Sequence, residues 1–121
     1  LEMNRSALDR AEAIDDRRQA ALIHGRIATI LRITGDEEGT LRHHLQEIAL
    51  FREIGDRWGE ASATGNLGHL HQQQGDMATA LEHYQRSLAI AEEINDRVMI
   101  SLSLGNIGNI QAEDLLNEQN N

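Results

Sequence analysis

The chain is 121 residues long, with 20 Asp plus Glu against 11 basic residues, every one an arginine, and a formal net charge of −9. At that length one domain with a modest core is expected, and an aromatic share of 2% makes that core aliphatic. The acidic balance excludes nucleic acid as a partner, no apolar run approaches the roughly 20 residues of a membrane span, and the lack of cysteine leaves no disulfide or thiolate chemistry, as suits the cytoplasm.

Apolar residues recur at i, i+3, i+4 and i+7 and no stretch alternates with period two, which predicts an all-α chain of about six helices. The first covers 1–14 and carries Leu1, Leu8 and Ile14. The second covers 17–34; Asp16 stands at its N-cap with Gln19 three residues on, and His24, Ile27, Ala28 and Leu31 share a stripe. Gly35 closes it by taking the left-handed conformation, and Asp36 caps the third helix, 37–54. Asp56 opens the fourth, 57–74, and Gly75-Asp76 separates it from the fifth, 77–94, with Leu81, Tyr84, Leu88 and Ala91 on one face. Asp96 opens the sixth, 97–116, and residues 117–121 form a polar tail.

These elements repeat with a period of 40. Ile14-Asp15-Asp16-Arg17 returns as Ile54-Gly55-Asp56-Arg57 and Ile94-Asn95-Asp96-Arg97, and Gly25, Gly65 and Gly105 fall in one column. So do Ala28, Gly68 and Gly108, and then Ile30, Leu70 and Ile110. Helix pairs that repeat in this way cannot each bury an apolar stripe alone, so neighbours must stack.

Leu67-Gly68-x-x-His71, Gly75-Asp76 and Ala80-x-x-x-Tyr84 together resemble the tetratricopeptide repeat, whose signature places Leu-Gly-x-x-Tyr on a first helix and Ala-x-x-x-Phe on a second. The resemblance spans the whole chain, with His71 in place of the tyrosine and with Thr40 and His44 where Ala80 and Tyr84 stand. A period longer than the usual ~34 is similar to the long-helix variety found in kinesin light chains, spindle-orientation adaptors and bacterial regulators. The resemblance implies a right-handed superhelical array of antiparallel helix pairs, a solenoid without enzyme activity or cofactor. Its first helices would line a concave groove that binds an extended peptide or a partner helix of another protein.

The groove face is the side of each first helix opposite the packed stripe. It carries Gly25, Arg26 and Thr29, then Gly65, Asn66 and His69, then Gly105, Asn106 and Asn109. Stacked asparagine amides suit a peptide backbone in either direction, and Arg26 suits an acidic side chain or a terminal carboxylate. A glycine within a helix costs about 1 kcal/mol against alanine, so its threefold recurrence points to close approach, of a ligand or of a neighbouring helix. The asparagines are open to the same two uses, peptide contact or bonding between helices. The lysine clamp by which some relatives hold terminal carboxylates is excluded, because the chain has no lysine.

No His-x-x-x-His pair exists, and the one weak candidate for a metal set is His24, His44 and Glu47, which sit in columns that elsewhere hold packing residues. His43 and His83 read as solvated, and Trp58 as a local packing lid. No phosphate loop, nucleophile elbow or base beside a serine suggests catalysis. The frame makes the chain one array fragment over 1–121: a second helix at 1–14, repeats at 17–54 and 57–94, and a first helix at 97–116. Uncapped terminal helices predict a homodimer that covers them. Two other readings remain open, a structural or oligomerising segment of a larger regulatory protein and a ligand-sensing domain.

Overall fold

The computed structural model describes residues 2–120, with side chains described at position 7 and from position 9 onward. It contains α1 (Glu2–Thr34), α2 (Glu37–Glu53), α3 (Arg57–Gln73), α4 (Met77–Glu93) and α5 (Arg97–Asn120), and no strand among the described residues. The chain divides into two compact units, Leu1–Asp56 with α1 and α2, and Arg57–Asn121 with α3, α4 and α5.

Four of the helix ends are closed by one device. Gly35, Gly55, Gly75 and Asn95 have positive φ (+88°, +74°, +84° and +57°). The N–H of the aspartate that follows each reaches back to the carbonyl five residues earlier, as in Asp36 to Leu31 (2.8 Å) and Asp96 to Ala91 (3.0 Å). The aspartate then caps the next helix: Asp36 accepts from Gly39 N–H (2.8 Å), Asp76 from Thr79 N–H (3.2 Å) and Asp96 from Met99 N–H (3.1 Å). Bonds from the Thr79 hydroxyl and N–H hold the Asp76 carboxyl below the usual carboxylate range.

The spacing of those closures accounts for five helices in place of the six expected. The break predicted at 14–17 does not occur, and α1 runs through it. Where the other links place Gly55 or Asn95 in the left-handed turn, this one has Asp15, which takes that conformation less readily, so the helix continues and Asp16 caps nothing. Leu115 occupies the same phase near the other end, and α5 likewise continues through 117–120, residues expected in the polar tail.

In the first unit α1 and α2 pack antiparallel. Contacts step down the pair from Thr40 Oγ1 near Ala28 O (3.5 Å), through His43 beside His24, to Glu53 Oε2 at 3.2 Å from Arg17 Nε. The second unit repeats the arrangement: Tyr84 lies over Gly68, Ser87 reaches Ala61, and Glu93 pairs with Arg57. Arg17 and Arg57, one repeat apart, thus each pair with the glutamate at the end of the following helix, Glu53 and Glu93. Helix α5 packs antiparallel on α4, burying Met99 against Ala61, Ile90 and Ala91, and Ile110 against Ala80 and Tyr84.

One column shows what a preceding second helix contributes. Ile110 is 1% exposed beneath α4, whereas Ile30, its equivalent in α1, is 59% exposed. Because residues 2–16 extend α1 instead of folding back as a separate helix, no helix among the described residues of the first unit plays α4's part.

Candidate functional site

The glycine column that recurs three times serves three different surroundings. A Cβ on Gly25 would collide with the Glu47 carboxylate, one on Gly65 would meet only Ser87 Oγ at 3.6 Å, and one on Gly105 would meet nothing within 4 Å. Glu47 and Ser87 share a column of the repeat. In the first unit, therefore, a side chain from α2 fills the space over the glycine, and in the second unit the short Ser87 leaves it open.

That space is a cavity of about 320 Å³ bounded by α3, α4 and α5. Ala61, Ser87 and Ser103 form its floor, Met99 and Leu102 one wall, and Ser62, Gly65, Asn66, His69 and Asn106 its rim. The floor hydroxyls spend their protons internally: Ser87 Oγ donates to Ala61 O (2.9 Å) and Ser103 Oγ to Ser87 Oγ (3.5 Å). Behind it, Tyr84 is 1% exposed and donates to Gln72 Oε1 (2.8 Å), with His69 Nδ1 at 3.4 Å from the same hydroxyl. Burial raises the Tyr84 hydroxyl pKa, with Glu113 adding to the effect, so the phenol stays protonated.

Asn66 is exposed and Asn106 half-buried, and neither amide makes a hydrogen bond within the described residues. Of the groove residues expected from sequence, the cavity unites Gly65, Asn66, His69 and Asn106. Gly105 and Asn109 are exposed on α5 and do not line it. Arg26 and Thr29 are exposed on α1 in the other unit, where Thr29 Oγ1 donates to Gly25 O (3.0 Å). Sequence reasoning missed Met99, Ser87 and Ser103; the exchange of Glu47 for Ser87 within one column was the available signal for the opening.

The weak metal candidate does not assemble. His44 Nδ1 lies 3.0 Å from Glu47 Oε1, both nearly fully buried, while His24 turns to His43, with 2.9 Å between their Nδ1 atoms. No cluster of three or more potential metal-ligating side chains occurs among the described residues. Trp58, expected as a packing lid, is 56% exposed.

His43 and His83 are half-buried instead of solvated, each against a histidine of the facing helix: His43 beside His24, and His83 stacked on His71 with ring centroids 5.3 Å apart. Burial pushes both below the ordinary histidine range; His24, Arg42 and His44 act the same way on His43 against Asp36, and His71 and Arg86 on His83 against Glu82. A histidine whose folded pKa is depressed binds its proton more readily when unfolded. It contributes stability that is present above the unfolded value of about 6.5 and lost as pH falls through the folded pKa. The urea midpoint is expected to be lower at pH 5.5 than at 7.5, and His43→Gln/His83→Gln to remove most of that difference; an undiminished difference in the variant would assign it to other groups.

No helix among the described residues is long and apolar enough to cross a membrane. The family model for the tetratricopeptide repeat matches residues 18–93 and, in a second register, residues 59–115. No curated protein matches the chain.

Proposed function

Because the chain belongs to the tetratricopeptide repeat family, we propose that it is a protein-interaction scaffold whose second unit holds an extended segment of a partner protein in the cavity between α3, α4 and α5. Repeats of this family mediate contacts between proteins and are as a rule non-catalytic, and the cytoplasm is their common compartment. The observation that carries the reading is the pair of free amides, Asn66 and Asn106, set on the rim of one open pocket. Each amide offers a donor and an acceptor, which matches the alternating N–H and C=O groups of an extended chain. In the first unit, the exposed Arg26 offers a guanidinium to an acidic side chain or terminal carboxylate, with Thr29 one turn away.

Two or three hydrogen bonds lost at about 1 kcal/mol each weaken binding by tenfold or more. Peptides selected from a displayed random library on the wild-type chain are therefore expected to bind Asn66→Ala/Asn106→Ala at least tenfold more weakly, with helical CD and Tm unchanged. Equal binding by the two proteins would sink the groove reading.

Self-association is the second reading, and exposed apolar side chains favour it. Ile23, Ile30 and Ile33 on α1 are 51%, 59% and 76% exposed, and Val98, Leu102 and Leu104 on α5 are 72%, 63% and 53% exposed. Leu104 shares a column with Thr64, which is buried in the α3–α4 pair. Such faces are the kind that a closed twofold dimer covers. Sedimentation equilibrium at ~100 μM is expected to show a dimer that Ile30→Glu or Leu104→Glu dissociates; a wild-type monomer would rule it out.

A further inference from the structure

We infer that the pocket of the second unit selects an uncharged apolar side chain, of leucine, methionine or phenylalanine size, presented by an extended segment of the partner. The inference rests on the groove reading and adds the chemistry of the occupant.

Charge is the first argument. The chain has a net charge of −9, yet no Asp, Glu or Arg lines this cavity. A carboxylate entering it would lose water with no arginine to meet it and only the exposed His69 imidazole at the rim, and an ammonium or guanidinium would meet no anion. Hydrogen bonding is the second. The Ser87 and Ser103 hydroxyls at the floor already donate, to Ala61 O and to Ser87 Oγ, so a group without acceptors strands no buried donor when it covers them. The wall supplies the third. Leu102 is 63% exposed at the mouth, beside buried Met99, and both gain contact from an apolar guest.

Size follows from the volume. About 320 Å³, open to solvent on one side, is at the small end of the roughly 300–1,000 Å³ of ligand pockets, a size for one large apolar side chain with part of its backbone. The asparagines on the rim would then hold the backbone on either side. Gly65 keeps the space open. A methyl there stands at ordinary contact distance from Ser87 Oγ, so it is tolerated by the fold and enters the cavity. The first unit shows the same place occupied, with the Glu47 carboxylate over Gly25.

The test uses end-capped fluorescent peptides recovered from the library selection on the full chain, with each position replaced in turn by Leu, Ala, Asn, Asp and Arg. One position is expected to require Leu or another large apolar residue, with Ala, Asp or Arg weakening binding at least tenfold. In the Gly65→Ala chain that preference is expected to shrink to threefold or less, while Tm stays at or above the wild-type value. A preferred charged residue, or no apolar anchor at all, with binding still dependent on Asn66 and Asn106, overturns the inference and leaves the groove reading standing. Binding indifferent to Asn66 and Asn106, or no peptide recovered, overturns both. A dimer that Gly65→Ala dissociates makes a second copy the occupant and overturns the inference.

Discussion

Gly68→Ala is expected to destabilise the second unit by about 2–3 kcal/mol, a reversal of the roughly 1 kcal/mol by which alanine ordinarily improves on glycine inside a helix. The reason is the Tyr84 ring. A Cβ at this position would stand 2.9 Å from Tyr84 Cε1, 3.0 Å from Cδ1 and 3.2 Å from the backbone oxygen of Ala80. None of these can give way easily: Tyr84 is 1% exposed, its hydroxyl is anchored on Gln72, and Ala80 is fully buried. Two controls fix the interpretation. Gly108 lies in the same column with nothing within 4 Å, so Gly108→Ala is expected to stabilise by up to ~1 kcal/mol. In a Tyr84→Ala background, Gly68→Ala should become neutral or favourable, which gives a coupling of at least ~2 kcal/mol in a double-mutant cycle. Urea unfolding of the four chains measures it, and a Gly68→Ala protein as stable as wild type contradicts the argument.

The same pair explains a departure from the family pattern that sequence alone left bare. In the first repeat the column of Gly68 holds Ala28, and the column of Tyr84 holds His44. A tyrosine facing a methyl would meet the collision just described, so the smaller imidazole accompanies the larger neighbour. The correspondence was present in the sequence, but its sense depends on a distance across two helices.

Helix type, the 40-residue period and the Gly-Asp and Asn-Asp links were legible because each is local: a glycine or asparagine in the left-handed turn, followed by a capping aspartate. The extra break at 14–17 was inferred from similarity of the motif as a whole. Its physics lies in the second residue, and Asp15 is where the analogy failed. Of the residues that line the pocket, Gly65, Asn66, His69 and Asn106 were legible from the corresponding faces of α3 and α5, since face is a matter of spacing. The floor was not, because it depends on how deep Ser87 and Ser103 lie and on which carbonyl takes the Ser87 proton. The metal trio failed for a related reason: spacing brought three residues to one region, while the partner each nitrogen chooses, Glu47 for His44 and His43 for His24, is decided by rotamers.

His44→Ala carries the largest expected effect in the first unit, a loss of about 3 kcal/mol from a broken buried hydrogen bond and a void. Glu47 is 9% exposed, with its carboxylate laid over Gly25 and His44 Nδ1 3.0 Å from Oε1. Removing the imidazole leaves a nearly buried carboxylate without that hydrogen-bond partner and opens a void beside it, and the first of these costs dominates, since a buried polar group left unsatisfied loses its full desolvation cost on top of the lost packing. The two contributions separate by experiment. His44→Ala/Glu47→Ser places at the second position the residue that the other repeat carries there, removing the stranded carboxylate while the void remains. It is expected to recover at least ~1 kcal/mol of the loss, although it deletes more atoms than the single substitution. Amide hydrogen exchange along α2 reads the stability of this unit separately from that of its neighbour. If the double variant exchanges faster than His44→Ala, the pair acts through volume, and Glu47 is better understood as a filler of the first repeat's groove than as one half of a buried polar pair.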